Sequence, residues 1–396
     1  MLKIDNPADC CGCTACASIC AHDAIVMKSD VLGFLYPKVD KEKCIDCGLC
    51  EKVCQFKKGY NRYQNFENPQ VIALRSKDVK DLRLSQSGSA FYLLAHNFIE
   101  QGGVVYGAGY ESVYKVKHKR IDTIEGLQEL RGSKYTQSDI CGIFKQVKDD
   151  LKLGNKVLFS GTPCQVAGLR SFVGKKYAEK LYTIDLVCHA VPSPKIWEEY
   201  VKWVEEKYGE KIVKVNFRNK KFGWHSHFET FLTATREIKR NTFRFFFFFY
   251  KHLSVRTSCS NCSFTNLKRI GDVTVGDFWG WEKFHKDWND NLGVSLVMLN
   301  SQKGCNLFQA ISNKVFYLKS NSSECMQPQL SEPIQIDSLQ KEFIDDFKNK
   351  GLDYIMHKKK YFKWPRPSFL SYMHILRVKL GILGKPLHWI KKAFYK

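Results

Sequence analysis

A chain of 396 residues, 44% apolar and 14% aromatic, has room for two or more cored domains, and its composition excludes intrinsic disorder. The formal charge of +22 first suggests nucleic acid. Half of that excess, however, lies between His357 and Lys396, which hold eleven Lys or Arg and no acidic residue. The rest is spread out without a nucleic-acid-binding motif, so a solvated basic surface and no nucleic-acid partner are expected. The N-terminus lacks an apolar signal region, and the richest apolar run, Phe245–Tyr250, is too short to span a bilayer. With cysteines in metal-ligand spacing, this points to a reducing, cytoplasmic setting.

The strongest local signal comes first. Cys10, Cys13, Cys16 and Cys20 read C-x2-C-x2-C-x3-C, and Cys44, Cys47, Cys50 and Cys54 repeat the spacing 34 residues later. Three thiolates two residues apart wrap three irons of one cubane, and the fourth leads into a helix and reaches the other cluster. The rule assigns Cys10, Cys13, Cys16 and Cys54 to one 4Fe-4S cluster, and Cys44, Cys47, Cys50 and Cys20 to the second. Zinc usually takes paired C-x2-C knuckles instead, and a disulfide framework belongs to secreted chains. The proline that commonly follows the fourth cysteine is Ala21 in one copy and Gln55 in the other. Cys11 is an extra thiol beside a ligand, able to compete in a misassembled site. Residues 1–60 therefore read as an α+β two-cluster ferredoxin-like domain.

After Tyr60, the polar stretch Asn61–Gln70 reads as a linker into a second domain over residues 61–335. Val71–Leu74 is a short strand. Ser87–Gln101 predicts a helix, apolar at Phe91, Leu94, Ala95 and Phe98 and stopped by Gly102-Gly103. Val104–Tyr106, Lys156–Phe159 and Tyr182–Val187 resume strand character. Ser193 as N-cap and Pro194 in the first turn open a helix to Tyr208 with Ile196, Trp197, Tyr200, Val201 and Val204 on its apolar face. Val213, Val215 and Phe217 alternate as a half-buried strand would. The five phenylalanines at 245–249 read as core. Strands alternating with helices give an α/β domain with a mixed sheet. Residues 336–396 form a helical, basic C-terminal extension broken at Trp364-Pro365-Arg366-Pro367. Phe369, Met373, Leu376, Leu380 and Leu383 share one helical face there. Packing on the main domain is the plainer reading of that face, and peripheral contact with an anionic membrane the sharper one.

Four further cysteines sit where chemistry gathers. In Gly161-Thr162-Pro163-Cys164-Gln165, Thr162 can cap a helix with Pro163 at its first position, which puts Cys164 at a helix N-terminus where a thiolate is favoured. Cys188 ends another strand, and Cys259 and Cys262 form a C-x2-C pair. Ligand sites in open α/β sheets lie at the carboxyl ends of strands, so a third cluster held by Cys164, Cys188, Cys259 and Cys262 is feasible. Cys141, Cys305 and Cys325 read as structural. Cys188 and His189 point to opposite faces of a strand, which disfavours a nucleophile–base pair. Trp224, His225 and His227 lie on a polar loop, either lining a substrate site or plain surface. Asp277 reads as an Asx-type turn residue.

Several of these stretches, taken in order, carry a resemblance. They are Ser85-Gln86-Ser87-Gly88-Ser89-Ala90-Phe91, Arg131-Gly132-Ser133-Lys134-Tyr135, Gly161–Gln165, Cys188-His189 with Pro192-Ser193-Pro194, Phe217-Arg218 with Gly223-Trp224, Cys259 and Cys262, and Gly276-Asp277-Phe278-Trp279-Gly280. Over roughly residues 5 to 310 the chain resembles the coenzyme F-420 hydrogenase/dehydrogenase beta-subunit family, a group of flavin and iron–sulfur oxidoreductases. The resemblance implies an FAD-binding domain that also holds the third cluster. Its cofactor residues would be Ser85, Ser87, Gly88, Gly132, Ser133, Lys134, Tyr135, Gly161 and Thr162. Hydroxyls and backbone N–H groups ahead of a helix suit a pyrophosphate, Lys134 adds charge, and Tyr135 can stack. Helix capping by Ser87 is the ordinary alternative. The family's glycine pair is Gly88-Ser89 here.

The function implied is an iron–sulfur flavoprotein oxidoreductase. A ferredoxin-type donor or sister subunit would exchange single electrons with the N-terminal clusters. FAD would exchange a hydride with a deazaflavin or another organic substrate. A basic surface suits an acidic redox partner. The alternatives are a non-catalytic electron-relay subunit of a larger redox complex and a flavin-less iron–sulfur binding protein.

Overall fold

Between the two cysteine runs the chain turns back on itself as a hairpin. Strands β1 (Ile25–Ser29) and β2 (Leu35–Val39) pair antiparallel with Ile25 opposite Val39. Each run feeds a short helix, Ala15–Ile19 and Leu49–Lys52. Each helix opens from a left-handed residue, Thr14 at φ 62° and Gly48 at φ 70°. The computed structural model describes residues 2–57, 65–226, 228–241 and 243–362. The end of the first domain at Tyr60, His227 and the apolar face from Phe369 to Leu383 lie outside the described residues.

The second domain is built on an eight-stranded sheet. Its strands are β3 (Gln70–Ser76), β4 (Val104–Ser112), β5 (Lys115–Ile121), β6 (Val157–Gly161), β7 (Leu181–Leu186), β11 (Val273–Asp277), β12 (Ser295–Leu299) and β13 (Val315–Ser320). The order is β13-β3-β12-β11-β7-β6-β4-β5. β4, β6, β7 and β11 run parallel, while β5, β12 and β13 pair antiparallel with their neighbours. β3 thus points the same way as β11, and five strands deliver their carboxyl ends to one edge. Every residue of β6 and β12 is buried, as strands covered on both faces require. Successive side chains alternate between two cores. Val105 and Leu158 pack beneath the Ala90–Glu100 helix, while Val104, Tyr106, Val157 and Phe159 meet the Ile143–Lys152 and Pro163–Val173 helices.

A third core lies beside the sheet. There the Pro194–Tyr208 helix packs Trp197, fully buried, against a three-stranded antiparallel sheet of β8 (Lys214–Asn216), β9 (Phe228–Leu232) and β10 (Glu237–Asn241). Phe245, Phe246, Phe248 and Phe249 of the Phe243–Tyr250 helix fill this core, joined by Phe343, Leu352 and Ile355 of the Gln340–His357 helix. That last helix begins the C-terminal extension and is packed on the main domain. Ser193 caps its helix, accepting from the Ile196 N–H at 3.0 Å, with Pro194 in the first turn.

Some local expectations need correction. β8 spans only three residues, and Val213 is 58% exposed, because its N–H serves the end of β9 from outside the core. The helix after Gly88 starts at Ala90. Its N-cap is Ser89 at φ 79°, and the Ser87 hydroxyl instead donates to the Val294 carbonyl at 2.7 Å. Part of the expected linker is pinned: the Asn65 amide donates to the Arg269 and Gly271 carbonyls, and the Phe66 N–H to Asn300. Cys141 is exposed, whereas Cys325 is buried.

One buried ion pair ties the loop carrying Cys259 and Cys262 to the strand leading to Cys188. Asp185 near the end of β7 and Arg269 are 0% and 1% exposed at 3.2 Å. The carboxylate also accepts from the Ile270 and Gly271 N–H groups, and the guanidinium donates to the Leu186 carbonyl. Removing one partner strands a buried charge. Asp185→Ala is expected to cost about 3–5 kcal/mol, measured as a fall in the urea midpoint at unchanged slope.

Candidate functional site

The two cysteine runs close on two concavities. Cys20, Cys44, Cys47 and Cys50 line one of about 400 Å³, and Cys10, Cys13, Cys16 and Cys54 line a second of about 350 Å³. The trailing cysteine of each run therefore sits with the other run's triplet. Apolar side chains complete both walls, including Ile25, Val39 and Leu49 in the first and Met27, Pro37 and Phe56 in the second. Among the described residues no three His, Cys, Asp or Glu side chains are arranged to hold a single metal ion. Burial pushes the Cys16 and Cys54 thiols up, the latter to about 11.

Cys164 stands where helix-start chemistry puts it. Thr162 and Gln165 form a reciprocal capping box with Pro163 in the first turn, and the Thr162 hydroxyl lies 3.2 Å from the Cys164 sulfur. Cys188 follows β7, and Cys259 and Cys262 lie in and just after the turn Thr257–Asn261. The four thiols feel one another electrostatically: Cys188 is raised by burial and then by Cys259, Cys164 and Cys262. Burial likewise lifts Cys259 to about 12. Cys164 alone is drawn down, chiefly by the neighbouring Cys11 thiol.

Cys11 is the link between this group and the first ring. It is 5% exposed, and the neighbouring Cys13 and Cys164 thiols both push its own thiol up. Gln55, which replaces the usual proline, donates its amide to the Cys11 sulfur at 3.2 Å and to the Cys164 carbonyl at 2.9 Å. Gly168 makes the approach possible, since a Cβ there would lie 2.7 Å from the Cys13 sulfur. The departure at Gln55 and the extra cysteine were both visible in the sequence; their meeting was not.

The flavin candidates divide. Arg131 donates to the Ser85 hydroxyl at 3.0 Å, and buried Lys220 donates to the carbonyls of Leu82, Ser85 and Ser87. Arg218 reaches the Tyr135 hydroxyl at 3.4 Å and pairs with Asp277 at 2.7 Å. Asp277 also accepts from the Trp224 indole at 2.7 Å, so it is an ion-pair residue, not a turn-former. Trp224 is buried and stacks on Trp279 at 4.9 Å. Ser85, Ser87, Gly88 and the stretch Gly132, Ser133, Lys134, Tyr135 therefore belong to one neighbourhood with the 218–224 and 277–279 segments. Within it Arg131 Nε, Thr136 Oγ1, Arg218 Nε and Ser226 Oγ are buried without a hydrogen-bond partner. Gly161 and Thr162 stand apart, in the Cys164 helix cap. Gly88 packs against β3, where a Cβ would meet the Leu74 carbonyl at 2.0 Å. Lys134 donates to the Glu129 and Arg131 carbonyls, and burial pulls it down to about 7.

Residues 154–324 match the family described as the C terminus of the coenzyme F420 hydrogenase/dehydrogenase beta subunit, and residues 9–58 match a 4Fe-4S dicluster domain. The chain thus carries a domain matching the C terminus of that beta subunit behind a dicluster ferredoxin domain. The first of these matches contains Cys164, Cys188, Cys259, Cys262 and the Arg218–Asp277 pair; Ser85–Phe91 and Arg131–Tyr135 lie ahead of it. A chain of the F420-reducing NiFe hydrogenase complex from Methanosarcina barkeri, solved as a xenon derivative, is similar at 17% identity and a TM-score of 0.46, covering 75% of this chain and 94% of that one. No curated protein matches. No helix among the described residues is long and apolar enough to cross a membrane.

His118 holds the strand end beside Cys164 in the beta-subunit domain. Its Nε2–H donates to the Ser160 carbonyl at 2.9 Å, Nδ1 accepts from the Ser138 hydroxyl at 2.9 Å, and the ring stacks on Phe159. Burial lowers its pKa from 6.5 to about 4. Between those values the unfolded chain binds a proton that the folded chain refuses, so stability falls as pH falls, by about 3 kcal/mol in full. Urea unfolding at pH 7 and pH 4.5 should show the wild type losing about 2 kcal/mol more than His118→Gln across that interval.

Proposed function

We propose that the chain is an iron–sulfur flavoprotein oxidoreductase with three 4Fe-4S clusters and one FAD. The reading rests on one observation: the half-buried group of Cys164, Cys188, Cys259 and Cys262 stands next to the Cys10 ring, with the Gln55 amide bonded to both the Cys11 sulfur and the Cys164 carbonyl. Clustered thiols ionise together against a bound cation, and thiolate sulfur is the ligand that iron–sulfur clusters take. Cys10, Cys13, Cys16 and Cys54 would hold one N-terminal cluster, Cys20, Cys44, Cys47 and Cys50 the other, and the four domain cysteines the third.

The residues also suit a flavin. Unpartnered donors on Arg131 and Arg218, with hydroxyls of Thr136 and Ser226, are what a polar cofactor needs from a buried wall. A bound flavin takes electrons singly and exchanges a hydride. Arg131 and Arg218 supply positive charge, Lys220 fixes the loop carbonyls of Ser85 and Ser87, and the Trp224–Trp279 stack shields the wall from water. Gly132, Ser133, Lys134 and Tyr135 would form the neighbouring edge. The substrate would be a deazaflavin, as the family description suggests, or another organic hydride acceptor. The electron partner would be a ferredoxin-type protein or a redox subunit.

Anaerobic purification with iron, sulfide and flavin analysis tests the reading. About twelve irons, about twelve sulfides and one FAD per chain are expected, falling to about eight irons in Cys188→Ser. About eight irons and no flavin in the wild type would overturn it in favour of a two-cluster relay subunit.

A further inference from the structure

Arg256 reaches from the α/β domain into the backbone of the first ring. It is 0% exposed. Nε donates to the Cys10 carbonyl at 2.8 Å, Nη2 to the Leu35 carbonyl at 2.8 Å, and Nη1 to the Gln137 amide oxygen at 3.0 Å. Nη2 also lies 3.8 Å from the Cys10 sulfur. The guanidinium sits 4.3 Å from the Tyr36 ring centroid, and Gly12, at φ 68°, leaves it room, since a Cβ there would lie 2.9 Å from Nη1. Its own carbonyl accepts from the Cys259 N–H at 3.0 Å, so Arg256 is tied to the other cysteine group as well.

What Arg256 lacks is equally informative. Among the described residues it forms no ion pair with a carboxylate; its acceptors are carbonyls, an amide and a sulfur. A fully buried, unpaired guanidinium carries a desolvation cost of several kcal/mol. Resting on the three-cluster reading, we propose that the counter-charge of Arg256 is the pair of thiolate-bound clusters on either side of it, and that this fixed cation raises their reduction potentials relative to the Cys44-ring cluster and so makes electron transfer from that cluster to them downhill. A nearby positive charge favours the more negative, reduced state, and in a low-dielectric interior the effect is large. One electron leaves one cluster and one arrives at the other; no bond breaks and no proton moves. Arg256 is thus a positioning residue for the electron.

Redox titration monitored by electron paramagnetic resonance tests this, with signals assigned through Cys188→Ser and Cys47→Ser. In Arg256→Met, the Cys10-ring and Cys164-group clusters should each fall in reduced-to-oxidised ratio about tenfold at fixed potential, which is 59 mV for one electron. The Cys44-ring cluster should not move. Arg256→Lys, which keeps the charge, should restore most of the shift. If Arg256→Met does not load its iron, Gln137→Glu leaves Arg256 in place and sets a carboxylate against it; the same two midpoints should then fall by a smaller step. Unchanged midpoints, or an equal fall at all three clusters, overturns the proposal. A wild type holding only about eight irons refutes the three-cluster reading instead, which iron analysis reads separately.

Discussion

A cubane needs four sulfurs within a few ångströms, and no short segment of chain can supply them while also connecting to a second redox group. The structure meets that constraint by letting distant segments interlock around the Arg256 guanidinium. From the α/β domain it grips two carbonyls of the N-terminal domain, at Cys10 and Leu35, so the ferredoxin-like module is docked through its ligand loop as well as through its hairpin, where the Leu32 carbonyl accepts from the Ser193 hydroxyl and the Lys195 N–H. Gln55 and Gln137 add amide bonds across the same joint, to Cys164 and Cys11. The result is a seam in which the polar contacts converge on cysteine backbone. Mispositioning the seam would therefore alter both the docking and the sulfur geometry together.

Sheet topology then decides what lies behind the seam. Five strands end on one edge, and the loops leaving β3, β6, β7 and β11 carry, in turn, the Ser85 stretch, Cys164, Cys188 and Asp277. This follows from strand direction: a loop after a parallel strand always emerges at the carboxyl edge, where ligands of open α/β sheets gather. The loop with Cys259 and Cys262 reaches the edge by a different route, held there by the buried Asp185–Arg269 pair. Two mechanisms, topology and a buried salt bridge, thus bring the four domain cysteines together.

Much of this was legible from local rules. The doubled cysteine spacing, the Thr162-Pro163 helix start, the Ser193-Pro194 helix and the alternating α/β pattern all depend on residues a few positions apart, and each appears in the structure. What escaped were contacts between segments far apart in sequence. Arg256 stands only three residues before Cys259, yet nothing local says that its partners are Cys10 and Leu35. Gln55 and Cys11 looked like irregularities because Gln55 bonds across 44 residues to Cys11 and across 109 to Cys164. Asp277 followed the same pattern: a Gly-flanked aspartate suggests a turn, and only the fold supplies Arg218 and Trp224.

The Ser85–Ser89 loop shows how a sequence expectation can be right about place and wrong about means. Its hydroxyls were candidates for holding a phosphate directly. In the structure Ser85 bonds to Ser89 and Arg131, and Ser87 to the Val294 carbonyl. The Lys220 side chain draws the carbonyls of Leu82, Ser85 and Ser87 toward itself. Burial pulls that ammonium down to about 7, while three carbonyl acceptors favour its charged form, so the loop is braced by a cation in a near-dry setting. A loop whose carbonyls are gathered on one side cannot offer them to an anion, and that removes a source of repulsion. The anionic group of the proposed cofactor would be left the amino end of the Ala90–Glu100 helix and the Arg131 Nε, which has no partner among the described residues, in place of serine hydroxyls.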